Sequence, residues 1–392
     1  MIILGIETSC DETALALIET RGSGADFECR VISSLIHSQA ELHSAYGGVF
    51  PTLAKREHGK NIVPLFEQLI TESKMNPTGM VDVDAAVNSL DSEFAQKDPD
   101  LFKSVKGAQF LKNKLPIDRI AVTEGPGLEP TLWVGINFAR ILGTLWNIPI
   151  VPVNHMEGHV VASLLKSDTP HGDWQKLSAL AVPAIAFLIS GGHTELIKVS
   201  ELGRYELLGQ TVDDAVGEAF DKVARLLKLP YPGGPHISKL AGEAQAEGIT
   251  SSVKLPRPML ASGDLNFSFS GLKTAVLYAI RDAEKFGPVT EAFQKGLALE
   301  FENAVAETLE KKLRSAIDSQ GAQAVIVGGG VSANSMLREK FKAIATEYSI
   351  PLYLPSTHTS GDNALMIALA GALHDKEINR PLKAEGTKRL AI

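Results

Sequence analysis

The chain opens on an apolar run, Ile2-Ile3-Leu4-Gly5-Ile6, broken by the polar turn Glu7-Thr8-Ser9-Cys10-Asp11-Glu12 and resumed by Thr13-Ala14-Leu15-Ala16-Leu17-Ile18. Two apolar runs around a short polar turn predict strand, turn, strand. The plan recurs in Ala184 to Ile189, the turn Ser190-Gly191-Gly192, and His193-Thr194-Glu195-Leu196-Ile197-Lys198-Val199. Such self-similarity points to duplicated lobes. Between the copies, Ile120 to Thr123 reads as a strand entering Gly125-Pro126-Gly127, and Val134 to Trp146 has helical spacing. Strand and helix alternate, so the fold class is α/β. Toward the end, Ala324-Val325-Ile326-Val327 leads into Gly328-Gly329-Gly330 and a helix capped by Ser332, while Asp362 opens the helical run Asn363 to His374. Both are strand-to-helix junctions of the kind where ligands bind. Glu72 to Leu115 is polar and weakly periodic, which predicts a surface insertion with short helices of its own.

Composition narrows this picture. A length of 392 residues favours two or three domains, and 44% hydrophobic with 21% charged residues describes a globular protein. No apolar run reaches the roughly 18 residues of a membrane helix, and Met1 leads straight into a strand-like segment; a cytoplasmic location without membrane attachment is expected. Two cysteines, Cys10 and Cys29, are too few for a disulfide framework or a Cys-rich zinc site, so any metal would use imidazole and carboxylate ligands. The net charge of −8 gives no general attraction for nucleic acid, and an RNA ligand would need a local basic surface.

Several constellations could carry chemistry. In Asn154-His155-Met156-Glu157-Gly158-His159, Asn154 is a plausible helix cap, and His155 and His159 lie one turn apart, so both rings can reach one metal ion. Ordinary hydrogen-bonding helix residues are the plainer reading. A zinc protease of the His-Glu-x-x-His type needs its Glu directly after the first His, where Met156 stands here; Glu157 points elsewhere. The turns Ser190-Gly191-Gly192 and Gly328-Gly329-Gly330 would let backbone amides approach an anion, or simply close a hairpin and a strand-helix connection. Asp213 to Lys222 reads as an acidic helix with Asp214, Glu218, Asp221 and Lys222 on one face: a solvated face, or a carboxylate for ligand hydroxyls ahead of Pro232-Gly233-Gly234-Pro235. Asp362 is either a helix cap or an oxygen ligand completing a two-His site.

Taken together these residues resemble the TsaD family, the bacterial branch of the threonylcarbamoyl-adenosine enzymes once labelled O-sialoglycoprotein endopeptidases. The resemblance rests on Gly5 to Thr13, Tyr46-Gly47-Gly48-Val49, Gly125-Pro126-Gly127, Asn154-His155 to His159, Ser190 to Thr194, Gly217 to Lys222, Pro232 to Pro235, Phe267 to Lys273, Gly328 to Asn334 and Asp362 to Ala368. It implies two actin/Hsp70/sugar-kinase-like (ASKHA, RNase H-like) lobes with a nucleotide cleft between them: an N-terminal lobe of 1–180 plus 360–392, with an insertion at about 72–115, and a C-terminal lobe of 181–359. It implies His155, His159 and Asp362 as ligands of one Fe(2+) or Zn(2+), and Leu188, Ile189, Ser190, Gly191, Gly192, Asp221, Gly234 and Asn334 as positions for an adenylate, with ATP or AMP able to bind the same cleft. The implied reaction moves threonylcarbamoyl from threonylcarbamoyl-adenylate to adenosine 37 of tRNAs reading ANN codons. The donor would come from a TsaC-like synthase, with TsaB-like and TsaE-like partners.

Asp11 is the candidate for positioning the reacting groups or accepting the amine proton, a role that an ordinary turn-capping Asp matches. Lys55-Arg56-Glu57-His58-Gly59-Lys60 is either a solvated helix face or a contact for tRNA phosphates, with the Lys222, Arg225 and Lys228 face as a second and weaker option. The chain departs from the family pattern at Leu188 and His193, where archaeal and eukaryotic relatives carry tyrosine and asparagine, and at Thr52, Gln210, Gly361 and Leu128-Glu129-Pro130-Thr131. Three other readings compete: a small-molecule kinase on the same fold, a non-enzymatic actin-like ATPase, and the old glycoprotease. The His pair speaks against the first, the complete His-His-Asp set against the second, and the misplaced Glu157 against the third.

Overall fold

The computed structural model describes residues 1–83, 98–165, 172–374 and 380–390. They divide into two compact units, Met1–Ala179 with Asp362–Arg389, and Leu180–Gly361 with Leu390. The first is built on a mixed sheet. β1 (Ile2–Glu7), β2 (Glu12–Arg21) and β3 (Glu28–Ser38) form an antiparallel meander, and the two-residue strands β4 (Gly79–Met80) and β5 (Asn113–Lys114) pair apart from it. β6 (Arg119–Gly125) lies parallel to β1, β7 (Ile150–Asn154) parallel to β6, and β8 (Gln175–Lys176) closes the other edge, giving the order β7-β6-β1-β2-β3-β8.

Alternation along these strands feeds two cores. Leu4, Ile6, Leu15, Leu17, Ile120 and Val122 pack with the helices Pro51–Ser73, Pro99–Gly107 and Glu129–Trp146, while Ile3, Ala14, Ala16, Ile18, Ala121, Val151 and Val153 pack with the helix Ala364–Leu373. A sheet covered on both faces has strands apolar on both sides, which is why β1 and β6 read as unbroken runs rather than as alternating ones. Ala364–Leu373 is apolar all round and buried from Ala364 to Gly371, and it seats its small side chains directly on β1.

The second unit repeats the plan. β9 (Ala184–Ile189), β10 (Thr194–Glu201) and β11 (Arg204–Gln210) form an antiparallel meander, with β12 (Ala324–Gly328) parallel to β9 and β13 (Leu352–Tyr353) parallel to β12. Its order, β11-β10-β9-β12-β13, matches β3-β2-β1-β6-β7 strand for strand, with the same directions. That shared topology, an antiparallel triplet extended by two parallel strands, is the RNase H-like arrangement of actin-type folds. The helices Val216–Leu226, Gly233–Glu247, Ser270–Glu284, Glu291–Gln320 and Ser335–Tyr348 complete a core around Phe187, Phe220, Phe267 and Phe301.

Three local readings change. Asn334, not Ser332, caps the helix Ser335–Tyr348, accepting from Leu337 N at 2.9 Å, because Gly330–Ala333 tightens into a 3₁₀ turn first. Asn363 caps Ala364–Leu373, accepting from Met366 N at 3.0 Å, which leaves the Asp362 side chain for other work. Asp213 and Asp214 precede the helix Val216–Leu226 instead of riding on it. Asp213 accepts from Ser268 Oγ, Ser270 Oγ and the Phe269 and Ser270 amides at 2.5–3.2 Å, an anchor for the Phe267 to Lys273 motif. Burial opposes the Asp213 charge, but these donors outweigh it and hold the carboxyl below its usual pKa.

Candidate metal centre and nucleotide turn

β7 ends at Asn154, at the carboxyl edge of the parallel strands, and the chain turns there into the helix His155–Ala162. The Asn154 side chain accepts from Met156 N at 2.8 Å and Glu157 N at 3.4 Å, so the first turn is fixed before any ligand arrives. One turn apart on this buried helix, the His155 and His159 rings meet edge to face with centroids 4.8 Å apart. Asp362 Oδ1 lies 3.4 Å from His155 Nε2 and 3.3 Å from His159 Nε2, and the three ligand atoms all lie within 4.8 Å of one another. The sequence-predicted triad is therefore brought together within the first unit.

Behind it stands Glu7, a residue to which the sequence reading gave no role of its own. Fully buried at the end of β1, it receives His155 Nδ1 at 3.0 Å and Thr123 Oγ1 at 2.6 Å on Oε2, and the Ser9 amide on Oε1. Ser9 Oγ also approaches His155 Nδ1, at 3.3 Å. A carboxylate on Nδ1 fixes the ring orientation and turns Nε2 toward Asp362, where a metal ion could displace the Nε2 proton, as in carboxylate–histidine–metal arrangements. The available signal was a glutamate closing an otherwise apolar strand. Glu7→Gln is expected to keep the fold yet weaken divalent-metal affinity by about 10- to 100-fold, as read by competition with a coloured chelator.

Electrostatics favour a cation here. Burial pulls the His155 pKa down, but Asp362 and Glu7 on opposite sides outweigh it and hold it well above the ordinary value. Burial keeps the His159 pKa below normal. Burial also opposes charge on Asp362, yet the two imidazoles draw its carboxyl well below the usual range. His159 Nε2 is buried without an aligned hydrogen-bond partner, although Asp362 is close enough for ion pairing. Two nitrogens and one carboxylate oxygen, converging around an orphaned lone pair, fit a divalent ion such as Fe(2+) or Zn(2+). Glu157 is turned away, its Oε2 2.6 Å from His374 Nε2, and offers no base to a protease mechanism.

The turn between β1 and β2 carries Asp11, buried, followed by Glu12, whose Oε1 accepts from Ser38 Oγ at 3.2 Å. Burial first, then the charges of Asp11 and Asp362, push the Glu12 carboxyl well above its usual pKa. Burial and the same acids push the Cys10 thiol up, so it is no nucleophile. His58 holds this turn from behind: Nε2 lies 3.0 Å from Cys10 O and Nδ1 2.7 Å from Thr13 Oγ1. That removes His58 from the proposed tRNA-contacting stretch, as does the burial of Gly59, while Lys55 is paired with Asp98 at 3.0 Å. Arg56 and Lys60 remain on the exposed face.

Burial lowers the His58 pKa to about 4 from an ordinary 6.5. The unfolded chain thus binds the extra proton first on acidification. This contribution is fully present above pH 6.5 and is lost as pH falls toward 4, amounting to about 2 to 3 kcal/mol. Urea midpoints at pH 7.5 and 4.5 should show that extra loss in the wild type and not in His58→Gln.

In the second unit the Ser190-Gly191-Gly192 turn joins β9 to β10, closed by Ser190 N to His193 O at 2.8 Å and by His193 N to Ser190 Oγ at 3.1 Å. Leu188 and Ile189 are buried and lead the strand into it, while Gly191 and Gly192 face open space. Gly217 donates to Ser190 O at 3.2 Å, and an added Cβ there would lie 2.6 Å from that oxygen. Asp221 Oδ1 accepts the Gly233 amide at 2.7 Å at the start of Gly233–Glu247, whose Gly234 is open on its Cβ side. Asn334 donates both amide hydrogens, to Ser238 Oγ at 2.8 Å and to Glu302 Oε1 at 2.5 Å. Its side chain therefore braces this corner. Glu302, an acid inside a long apolar-faced helix, is the partner that the sequence reading missed. Lys222 is neutralised by Asp214 and Glu218 at 2.7 and 2.8 Å, which weakens that face as an RNA contact.

The two units share the RNase H-like arrangement of the actin-like class, the first carrying a buried His-His-Asp cluster and the second an open glycine turn. The TsaD family model, described as tRNA N6-adenosine threonylcarbamoyltransferase, matches residues 30–87 and 108–369. Relatives of that name include one from Variovorax paradoxus, 41% identical over 95% of this chain and 90% of its own length. Another from Methylobacillus flagellatus is 41% identical over 97% and 95%, and one from Nitrosomonas europaea 39% identical over 99% and 96%. The chain belongs to the TsaD family. Among solved structures, the ADPNP-bound activator of 2-hydroxyisocaproyl-CoA dehydratase from Clostridium difficile aligns over 95% of this chain and 93% of its own, with TM-score 0.44 and 14% identity.

Proposed function

We propose that this chain is the acyltransferase that moves threonylcarbamoyl from threonylcarbamoyl-adenylate to the N6 amine of adenosine 37 in tRNAs reading ANN codons. The observation that carries the metal-dependent form of this reading is the convergence of the His155, His159 and Asp362 ligand atoms within 4.8 Å of one another, with Glu7 orienting His155 and no aligned hydrogen bond occupying His159 Nε2. These three side chains would hold Fe(2+) or Zn(2+), which when bound supplies a Lewis acid for the carbamoyl oxygen or the departing phosphate. The open amides of Ser190 to Gly192 offer donors to the adenylate, and Asp221, Gly234 and the Asn334 corner shape the rest of its seat. In the reaction the amine nitrogen bonds to the carbamoyl carbon, the carbon–oxygen bond to phosphate breaks, and AMP leaves with that electron pair. The amine proton passes to the Asp11–Glu12 carboxyl pair.

Among the described residues no helix is long and apolar enough to cross a membrane. A cytoplasmic enzyme working with TsaB-like and TsaE-like partners and a TsaC-like synthase is the setting that this reading implies. The test is transfer of labelled threonine to unmodified tRNA with donor synthase, ATP and bicarbonate, with and without those partners. Label on adenosine 37 supports the reading; donor formation without label in every combination overturns it.

A further inference from the structure

Tyr46 and Phe50 stack on each other at the surface, with ring centroids 5.8 Å apart and planes inclined by 24°. They are 61% and 52% exposed. Among the described residues this is the one ring pair in which both aromatic side chains face solvent, so burial in the core does not explain it. Nor is it the tip of a loose loop. The buried His43 takes Tyr46 N at 2.9 Å on its carbonyl and Phe50 N at 3.3 Å on Nδ1, and its Nε2 lies 3.2 Å from Gln39 Oε1. Gln39, buried in turn, donates its backbone N–H to Asp11 O at 2.9 Å. Gly47 and Gly48, both at positive φ, let the chain double back between the two rings. A rigid aromatic pair is thus tied through two buried residues to the turn that carries Asp11 and Glu12.

Two cations and two acids lie beside it: Arg56 and Lys60 share Glu57, and Glu41 lies on the aromatic side, which leaves Arg56, with only a 3.8 Å approach to Glu57, as the least neutralised charge. Phe50 is the residue before the helix Pro51–Ser73, whose first turn holds no acid and whose exposed face presents Thr52, Arg56 and Lys60 at successive turns. Arg56 is 60% exposed, and Lys60 is the closer partner of Glu57, at 2.6 Å. Stacked aromatic faces and exposed cations are the two elements by which proteins hold unpaired nucleic acid: bases lie on the rings and phosphates track the cations. An enzyme that acylates a base amine must receive that base unstacked from its neighbours.

We propose that Tyr46 and Phe50 form the platform on which an unpaired base of the tRNA anticodon loop stacks while the acceptor adenosine is presented, with Arg56 and Lys60 holding its phosphates; this rests on the function proposed above. The test is binding of a labelled anticodon stem-loop to the full chain by fluorescence anisotropy across a salt series, with a fully paired stem as control. Tyr46→Ala and Phe50→Ala should each weaken stem-loop binding by about 5- to 100-fold, and Tyr46→Phe should restore it, with helix content and bound metal unchanged. Arg56→Ala and Lys60→Ala should each lower the salt slope by about one. If the wild type binds no stem-loop at low salt, alone or with the TsaB-like and TsaE-like partners, the platform is overturned, and the transfer assay above decides the function separately. If the wild type binds and modifies tRNA while both alanine variants bind it equally well, only the platform is overturned. Normal RNA binding with lost association to a purified TsaB-like protein also overturns it and makes the surface a protein-docking one.

Discussion

His159→Ala should remove tightly bound metal and lower threonylcarbamoyl transfer by at least about 100-fold, while the protein remains folded. The size follows from what a Lewis acid supplies, several kcal/mol at a developing charge, each 1.36 kcal/mol being tenfold in rate. The retained fold follows from what His159 does otherwise. Its Nε2 has no aligned hydrogen-bond partner, and the Asp362 carboxylate that it approaches at 3.3 Å keeps His155 on its other side, so truncation leaves that acid with one imidazole. His155→Ala should cost activity similarly but stability more, because it strips Glu7 and Ser9 of a buried partner. Metal content by mass spectrometry, a thermal midpoint and single-turnover transfer separate the two variants. Chelator-stripped wild type should recover on adding Fe(2+) or Zn(2+), and whichever ion restores the rate is the working metal. A His159→Ala enzyme with full activity would detach the cluster from catalysis.

The sequence made the triad legible because His155 and His159 are one helical turn apart and Asn154 caps that helix. Asp362 was ambiguous because capping and ligation both use a carboxylate at a helix start. Only the position of Asn363, which takes the cap, frees Asp362 to face the imidazoles. Glu7 and Glu302 were hidden for a common reason: each is an acid inside a segment whose apolar pattern dominates, and the side chains it pairs with, Thr123 and His155 for Glu7 and Asn334 for Glu302, are more than 30 residues away in sequence. No local period encodes such pairings. The duplicated strand-turn-strand units were plain from the apolar runs, and the matching strand orders bear out the duplication. The basic stretch at Lys55 to Lys60 was misread at His58 and Gly59 because charge counting along a helix ignores which face packs inward.

Gly329→Ala tests the second unit with a comparable effect. Gly329 sits between β12 and the 3₁₀ turn with φ of 89°, a conformation that L residues rarely adopt. Any Cβ there would lie 2.4 Å from Ile189 O and 3.2 Å from Ser190 Cβ. The nearest obstacle is backbone, which cannot rotate away as a side-chain tip can. Either the end of β9 moves or the Gly328 to Ala333 segment does. Both routes disturb the Ser190-Gly191-Gly192 turn, whose carbonyl side is already filled by Gly217. Strain of about 1–3 kcal/mol adds to overpacking of about 1–3 kcal/mol. The variant should therefore unfold at clearly lower urea and bind AMP at least tenfold more weakly by calorimetry. Gly330→Ala is the matched control, since nothing lies within 4 Å of its Cβ position and its φ is not positive. If Gly329→Ala loses stability but keeps AMP affinity, the glycine turn is a structural crossing and the adenylate seat must be sought elsewhere on this unit. If both fall while Gly330→Ala behaves as wild type, the close approach of β12 to the turn is what shapes the nucleotide site.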